Sequence, residues 1–330
     1  MFDAFVLAAG FGTRLRPLTE ALPKPLVPVC GVPMLAYSLA LCARHGLREV
    51  VVNAHHLAET LAPWEGEREG VRVSLSVEAP EILGTGGGLR AVARSMAPRF
   101  AVVNADVLND VDLAALIARV PPGGGALALR SHPDAARYGV VAADAEGVVV
   151  RLASVVEAPP VGQVDLSTHF TGVHAMDRGA LALIPEGGFA CVVRTAYASL
   201  VPRRLVSSLR HGGLWLDVGD PAAYLDANLA VLDGGLRLPL DPFARAGWSR
   251  RGERATGAAG LVERAEVSGP AWVGAGAELG RARVSRSVIG AGAVVQDGAE
   301  LVDSVVWEGS TVPAGRWERV VWGPWGALAR

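Results

Sequence analysis

Aliphatic side chains recur at every sixth position over Leu261, Val267, Val273 and Leu279. After one irregularity the period resumes at Ile289, Val295, Leu301 and Trp307. A small residue often follows, as in Val273-Gly274 and Ile289-Gly290. This six-residue period is the signature of a left-handed parallel β-helix, and Gly/Ala-rich coil would not hold eight positions in register. The segment has room for only roughly two to three coils, so its ends need a cap or a partner. Six of the eight tryptophans lie from Trp248 onward, which makes the Trp-rich tail the expected cap.

The other end of the chain carries a different constraint. A short apolar run, Phe5 to Ala9, reads as a buried strand. It turns through Gly10 and Gly12 and leads to Lys24, the only lysine among 31 basic residues. Pro23 and Pro25 fix the backbone on either side, so a compact ammonium is presented from a stiff loop. The glycines let backbone N–H groups approach an anion closely. Thr13 adds a hydroxyl, and Arg14 and Arg16 add guanidinium forks. The loop therefore suits a phosphate. It matches neither G-x-x-x-x-G-K-[ST] nor G-x-G-x-x-G, so a P-loop and a dinucleotide fingerprint are both excluded.

The two halves of this stretch, L-A-A-G-F-G-T-R-L-R-P-L-T and P-K-P-L-V-P-V, resemble the signature of the sugar-1-phosphate nucleotidyltransferases. The resemblance covers residues 2 to about 234 and implies in-line attack of a sugar-1-phosphate oxygen on the α-phosphorus of an NTP. Two anions must meet in that reaction, so it needs cations and a divalent metal on hard oxygen ligands. Lys24 is the expected cation at the reacting phosphates, and Arg14 is expected to stabilise the leaving pyrophosphate. Asp106 in V-N-A-D-V and Asp217 in W-L-D-V-G-D resemble the family's two Mg²⁺ carboxylates, although a lone strand-end Asp is more often a helix cap. The nucleotide is expected against Leu7, Ala8, Ala9, Gly10, Gly12, Thr13, Arg14, Gly84 and Thr85, the last two in a loop resembling the family's L-G-T-A-G. Glu78 or Glu81 could accept two donors from guanine, which favours GTP.

Sugar-phosphate contacts are expected from Asn104, Gly139, Glu157 and Thr171. Here the chain departs from the family. The common E-K-P falls at Glu157-Ala158-Pro159, which removes a lysine, and the common N-A-G falls at Phe170-Thr171-Gly172. Arg151, Arg194 or His169 could replace the lost cation. V-L-A-A-G-F-G-T-R with a trailing hexapeptide domain resembles the mannose-1-phosphate guanylyltransferases. G-T-G-G-G and F-T-G-V resemble instead the N-acetylmuramate-1-phosphate uridylyltransferases.

Between the two ends, strands are expected over Val50–Val52, Val71–Val77, Phe100–Val103 and Ala126–Leu129. Helices are expected over Met34–Arg44 and Leu113–Ala118. The alternation predicts an α/β, Rossmann-like domain with a mostly parallel sheet, whose ligands sit beyond the carboxyl ends of its strands. Residues 137–174 read as antiparallel strands, including Tyr138–Val141. Leu214–Asn228 reads as strand, turn and helix, with Asp217 at the turn and Asp220 as a cap. The expected domains are 1–235, a linker at 236–260 with a Trp248 anchor, and the β-helix at 261–330.

The net charge of −2 gives no footprint for nucleic acid or an anionic membrane. No apolar run reaches a membrane span, and no signal-peptide pattern opens the sequence. Cys30, Cys42 and Cys191 show no metal or redox spacing. A cytoplasmic enzyme that self-associates through its β-helix is the expectation. A sensor subunit that binds an NDP-sugar without turnover is the alternative from another class, and retention of Lys24, Asp106 and Asp217 argues against it. An acyltransferase built on the solenoid would want a histidine base there, yet the last histidine is His211.

Overall fold

The apolar run after Met1 forms strand β1 (Phe2–Leu7), in which Ala4, Phe5 and Val6 are fully buried. They are buried because β1 is an inner strand of an eight-stranded sheet. The other strands are β2 (Glu49–Ala54), β3 (Gly66–Arg68), β4 (Val71–Val77), β5 (Met96–Asn104), β6 (Gly125–Ser131), β7 (Thr168–Asp177) and β8 (Val206–Arg210). Their order across the sheet is β8-β6-β7-β5-β1-β2-β4-β3. The central strands β5, β1, β2 and β4 run parallel, and β7 and the edge strand β3 run antiparallel to their neighbours. Strands buried on both faces read as continuous apolar runs, which is why Val50-Val51-Val52 shows no alternation.

This computed structural model describes residues 1–246 and 264–329. Their contacts form two compact units that do not follow chain order. The first comprises Met1–Phe11, Pro23–Pro25 and Leu35–Trp215 and holds the eight-stranded sheet. Its core gathers Phe5, Val51, Phe100, Val102, Leu127 and Met176 with Tyr197 and Leu200. Helix α1 (Met34–Arg44) has the bounds the sequence predicts, and α2 (Gly84–Ala91) and α3 (Leu113–Ala118) follow. Asp112 caps α3 by accepting the Ala115 N–H at 2.9 Å.

One local expectation is corrected here. Tyr138 does not open a strand: it ends a helical turn, α4 (Ala135–Tyr138), and sheet pairing begins at Val140, which bridges antiparallel to His169 ahead of the strand Val141–Ala143. Gly139, at φ 84°, makes the turn between them.

The second unit comprises Gly12–Leu22, Leu26–Met34 and the chain from Leu216 onward. Helix α5 (Pro221–Asp233) starts at Asp220, whose carboxylate accepts the Ala223 N–H at 2.9 Å, as the sequence predicts. Beyond it, parallel strands stack coil upon coil. Val267 pairs with Val284 and that with Leu301, while Val273 pairs with Ile289 and Leu279 with Val295. This stacking is that expected of a parallel β-helix, and Val273, Leu279, Ile289, Val295 and Leu301 fill its core. Each coil takes 16 or 17 residues, as the pairings Val273–Ile289 and Val295–Val312 show. A strict period of six over three rungs would give 18.

That shortening corrects the last repeat position. Val306, not Trp307, occupies the core rung, and Trp307 is half-buried beside Tyr224 and Trp325. The parallel stack ends where Val320–Gly323 turns back antiparallel to Gly326–Ala329. Trp317 and Trp322 pack against the core there, with ring centroids 4.5 Å apart. Leu261 and Trp248 lie outside the described residues. Among those described, no helix is long and apolar enough to cross a membrane.

Candidate active site

Register fixes the site in the first unit. Leu7 at the end of β1 pairs with Asn104 at the end of β5, and Ala105 donates its N–H to the Leu7 carbonyl at 3.0 Å. Ala54 at the end of β2 pairs with Val77 at the end of β4. Four parallel strands therefore finish at one edge, where an open sheet of this kind holds its ligand. A cavity of about 200 Å³ lies there. Its lining includes Leu7, Ala8, Ala9, Gly10, Lys24, Gly84, Thr85, Asn104 and Asp106, all predicted from the sequence.

Lys24 is 8% exposed, and its Nζ lies 2.6 Å from Asp106 Oδ2. The sequence nominated these two residues for separate roles, and the fold makes them partners. Asp106 keeps 31% of its side-chain surface exposed, so the carboxylate also faces the cavity side of the pair. Among the described residues no three His, Cys, Asp or Glu side chains converge as a metal cage. One carboxylate beside a cavity still suits Mg²⁺, which uses one or two protein carboxylates and completes its shell with water and substrate phosphates.

Glu78 departs from its predicted role. It is 3% exposed, its Oε1 accepts from Asn53 Nδ2 at 2.7 Å, and its Oε2 accepts the Leu83 N–H at 2.7 Å. With both oxygens bonded within the protein, it is not a free acceptor for a base, and Glu81 is exposed. Gly84 has φ +70°, and a Cβ there would come within 2.8 Å of the Ala190 carbonyl, so glycine is required. Thr85 Oγ1 accepts the Val192 N–H at 3.1 Å.

Thr171, expected beside the sugar, turns its side chain into the sheet. It is 2% exposed, and its hydroxyl donates to the Ala128 carbonyl at 2.9 Å inside the sheet. Its neighbour Gly172 (φ +87°) lies against Asn104, where a Cβ would fall 2.6 Å from Asn104 Nδ2. Gly139 turns the chain beside Ala153, and exposed Glu157 pairs with Arg151 at 3.1 Å on a small separate sheet. Arg194 is exposed.

His169 belongs to an aromatic cluster that spacing did not disclose. Its ring stacks on Tyr138 at 4.7 Å and meets Trp215 at 4.8 Å, and His132 lies 5.2 Å from Tyr138. Trp215 Nε1 donates to the Thr171 carbonyl at 2.9 Å. Burial holds the His169 pKa below the usual histidine range, and its Nε2 finds no hydrogen-bond partner. Asn53 lines the cavity from the carboxyl-end region of β2, where strand-end placement puts a ligand-facing residue, and Pro25, Ile82 and Ala105 complete the lining without a sequence signal of their own.

In the second unit, Gly12 (φ 62°) caps a 3-10 turn at Thr13–Leu15 that presents Thr13 and Arg14 at the surface. Thr19 Oγ1 secures the turn by donating to the Gly12 carbonyl at 2.8 Å. Asp217 sits near Arg14: a Cβ at Gly219 would fall 3.4 Å from Asp217 Oδ2 and 3.5 Å from the Arg14 guanidinium.

A family model described as nucleotidyl transferase matches residues 3–234. The chain belongs to the sugar-1-phosphate nucleotidyltransferase family. It is 29% identical to a mannose-1-phosphate guanylyltransferase of Mycobacterium tuberculosis, over 95% of this chain and 82% of that protein. It is also 29% identical to a UTP–glucose-1-phosphate uridylyltransferase of Synechocystis, over 94% of this chain and 84% of that one. A probable mannose-1-phosphate guanylyltransferase 2 of rice is 30% identical over 96% and 88%. HddC from Yersinia pseudotuberculosis, crystallised with GMP-PN, shares the fold, with a TM-score of 0.55 and 20% identity over 69% of this chain and 98% of that one.

Proposed function

We propose that this nucleotidyltransferase joins an NTP to a sugar 1-phosphate, releasing pyrophosphate, with GTP and mannose 1-phosphate as the substrate pair. The observation that carries the reading is the pairing of buried Lys24 with the partly exposed Asp106 in the cavity at the ends of β1 and β5. The backbone from Ala8 to Gly10 borders the NTP, and the Lys24 ammonium neutralises charge as the two phosphates approach. Asp106 would hold Mg²⁺, which when bound draws charge from the reacting phosphate oxygens. Arg14, presented from its capped turn, is proposed to steady the departing pyrophosphate, and Gly139 and Asn104 to border the sugar. The guanylyltransferase relatives support GTP and mannose 1-phosphate.

A second reading, uridylyl transfer to a hexose 1-phosphate, is favoured by the Synechocystis relative at equal identity. It also gains from Glu78, whose bonded carboxylate withdraws the sequence argument for guanine. The deciding experiment measures pyrophosphate release with Mg²⁺, crossing each NTP with a panel of sugar 1-phosphates and running Lys24→Ala alongside. Turnover of GTP with mannose 1-phosphate, abolished by the substitution, is expected. Turnover confined to UTP selects the second reading, and silence across the panel refutes both.

A further inference from the structure

A chain of three hydrogen bonds, two of them buried, runs along the cavity through its lining residue Asn53, and the transfer chemistry above gives it no role. Ala8 donates its N–H to Asn53 Oδ1 at 2.6 Å. Asn53 Nδ2 donates to Glu78 Oε1 at 2.7 Å, and Glu78 Oε2 accepts the Leu83 N–H at 2.7 Å. Asn53 is 2% and Glu78 3% exposed. Ala8 lines the cavity on one side. Leu83 immediately precedes Gly84 and Thr85, which line it on the other. The link therefore ties the loop after β1 to the start of α2. Room for it is kept by Gly88, where a Cβ would fall 2.5 Å from Glu78 Oε1 and 3.2 Å from Asn53 Nδ2.

Burying a carboxylate is strongly unfavourable unless its lone pairs are bonded. Packing alone would be served better by an apolar side chain at this place. What the polar pair adds is direction: Asn53 Oδ1 accepts the Ala8 N–H and Glu78 Oε2 the Leu83 N–H, while Glu78 Oε1 joins the two side chains.

We propose that Asn53 and Glu78 are positioning residues that set the spacing of the two cavity walls, so that the NTP enters a preformed slot. The proposal rests on the reading of this cavity as the NTP site. Neither side chain needs to touch the nucleotide; each acts through the backbone it holds.

Donor and acceptor polarity provides the test. Glu78→Gln supplies one oxygen where two are needed, so one donor is left facing another. Asn53→Asp sets two carboxylates against each other. The combined variant Asn53→Asp/Glu78→Gln reverses the bond between the pair while keeping an oxygen toward each backbone N–H. In the full chain, each single substitution is expected to raise Kd and KM for the NTP at least tenfold. KM for the sugar 1-phosphate should stay within twofold, and the double variant should return to within threefold of wild type. Single variants that melt normally and bind NTP within twofold of wild type overturn the proposal. So does a folded double variant that binds no better than the weaker single.

If the singles fail to fold, amide exchange in the wild-type chain decides. Saturation with NTP and Mg²⁺ should slow exchange at Ala8 and Leu83 together, and slowing at only one of them overturns the coupling. A wild-type chain that binds no NTP refutes the functional reading and this proposal together. Wild-type activity untouched by the substitutions refutes this proposal alone.

Discussion

Lys24 Nζ and Asp106 Oδ2 lie 2.6 Å apart, although 82 residues separate them in the chain. The pair forms because β1 and β5 end side by side, and the Pro23 and Pro25 rings hold the lysine where Asp106 can reach it. In the substrate-free protein the carboxylate neutralises the ammonium. In the proposed reaction an arriving phosphate would compete for the same cation, which would leave the carboxylate available to Mg²⁺.

Lys24→Ala is expected to lower kcat/KM by about 10²–10³-fold, the range found when one preorganised charge is removed from a transition state. Asp106 is 31% exposed, so water can solvate it once its partner is gone, and the stability loss should stay within about 1–2 kcal/mol. Lys24→Arg should not restore the rate, because a planar guanidinium is a poor substitute for a compact ammonium at a site only 8% exposed. Steady-state kinetics beside thermal melts of the three proteins checks this, and an Arg variant at wild-type rate contradicts it.

Gly172→Ala tests the contact with Asn104 from the sheet side. The new methyl would enter a residue at φ +87° and fall 2.6 Å from Asn104 Nδ2. The left-handed backbone alone costs about 1 kcal/mol, and displacing Asn104 disturbs a cavity-lining side chain. The expected result is a melting temperature lowered by several degrees, with KM for the sugar 1-phosphate rising more than KM for the NTP. Equal effects on both constants would detach Asn104 from the sugar side.

These two sites differ in how far they could be read in advance. Lys24, Gly10 and Asp106 were legible because their chemistry is local: a lone lysine between prolines, glycines after a strand and an acid at a strand end. Helix α1 was legible to the residue, since apolar spacing and Gly46 bound it. The internal bonds of Glu78 and Thr171 were not legible, because sequence gives a side chain's donors and acceptors but not the partners that claim them across the sheet. Asn53 and Ala128 claim them here. The packing of Trp215 on His169 escaped for a related reason, the two being 46 residues apart and joined only by folding. In the solenoid the six-residue period identified the core rungs. The shortening to 16 or 17 residues per coil shows in the sequence as the irregularity between Leu279 and Ile289, where Val284 supplies a rung, and a strict period of six carried past Leu301 falls on Trp307 where Val306 fills the rung.

The column Gly269, Arg286, Asp303 and Arg319 offers a test of the solenoid. One residue per coil stands there at positive φ (68°, 43°, 48° and 53°), and only the first is glycine. Arg286 forks onto Asp233 of α5 at 2.6 and 2.7 Å and reaches Asp303 at 3.0 Å, while Arg319 bonds Asp226 at 2.7 Å. Asp303→Ala removes the acceptor and places a residue that resists left-handed backbone. Asp303→Asn removes only the charge, since Asn tolerates that conformation. Alanine is therefore expected to destabilise by about 1 kcal/mol more than asparagine in denaturant unfolding. Identical losses would mean that the ion pairs alone matter.

His174 predicts how stability depends on pH. It is 1% exposed, its Nδ1 lies 2.7 Å from the Tyr197 hydroxyl, and burial pushes its pKa down to about 3 from an ordinary 6.5. As pH falls below 6.5 the unfolded chain takes up this proton and the folded chain does not, so unfolding is favoured. The stability is complete above about pH 6.5 and is lost as pH falls through the window toward 3. A single group of this kind contributes a slope of about 1.4 kcal/mol per pH unit. His169, lowered by burial as well, adds in the same direction. Unfolding free energies between pH 6.5 and 4.5 lie above most carboxylate titrations, so the slope there reports the histidines. His174→Phe should reduce that slope by roughly one proton's worth whatever it does to absolute stability. An unchanged slope would mean that His174 takes up its proton without unfolding, through a local opening around Tyr197.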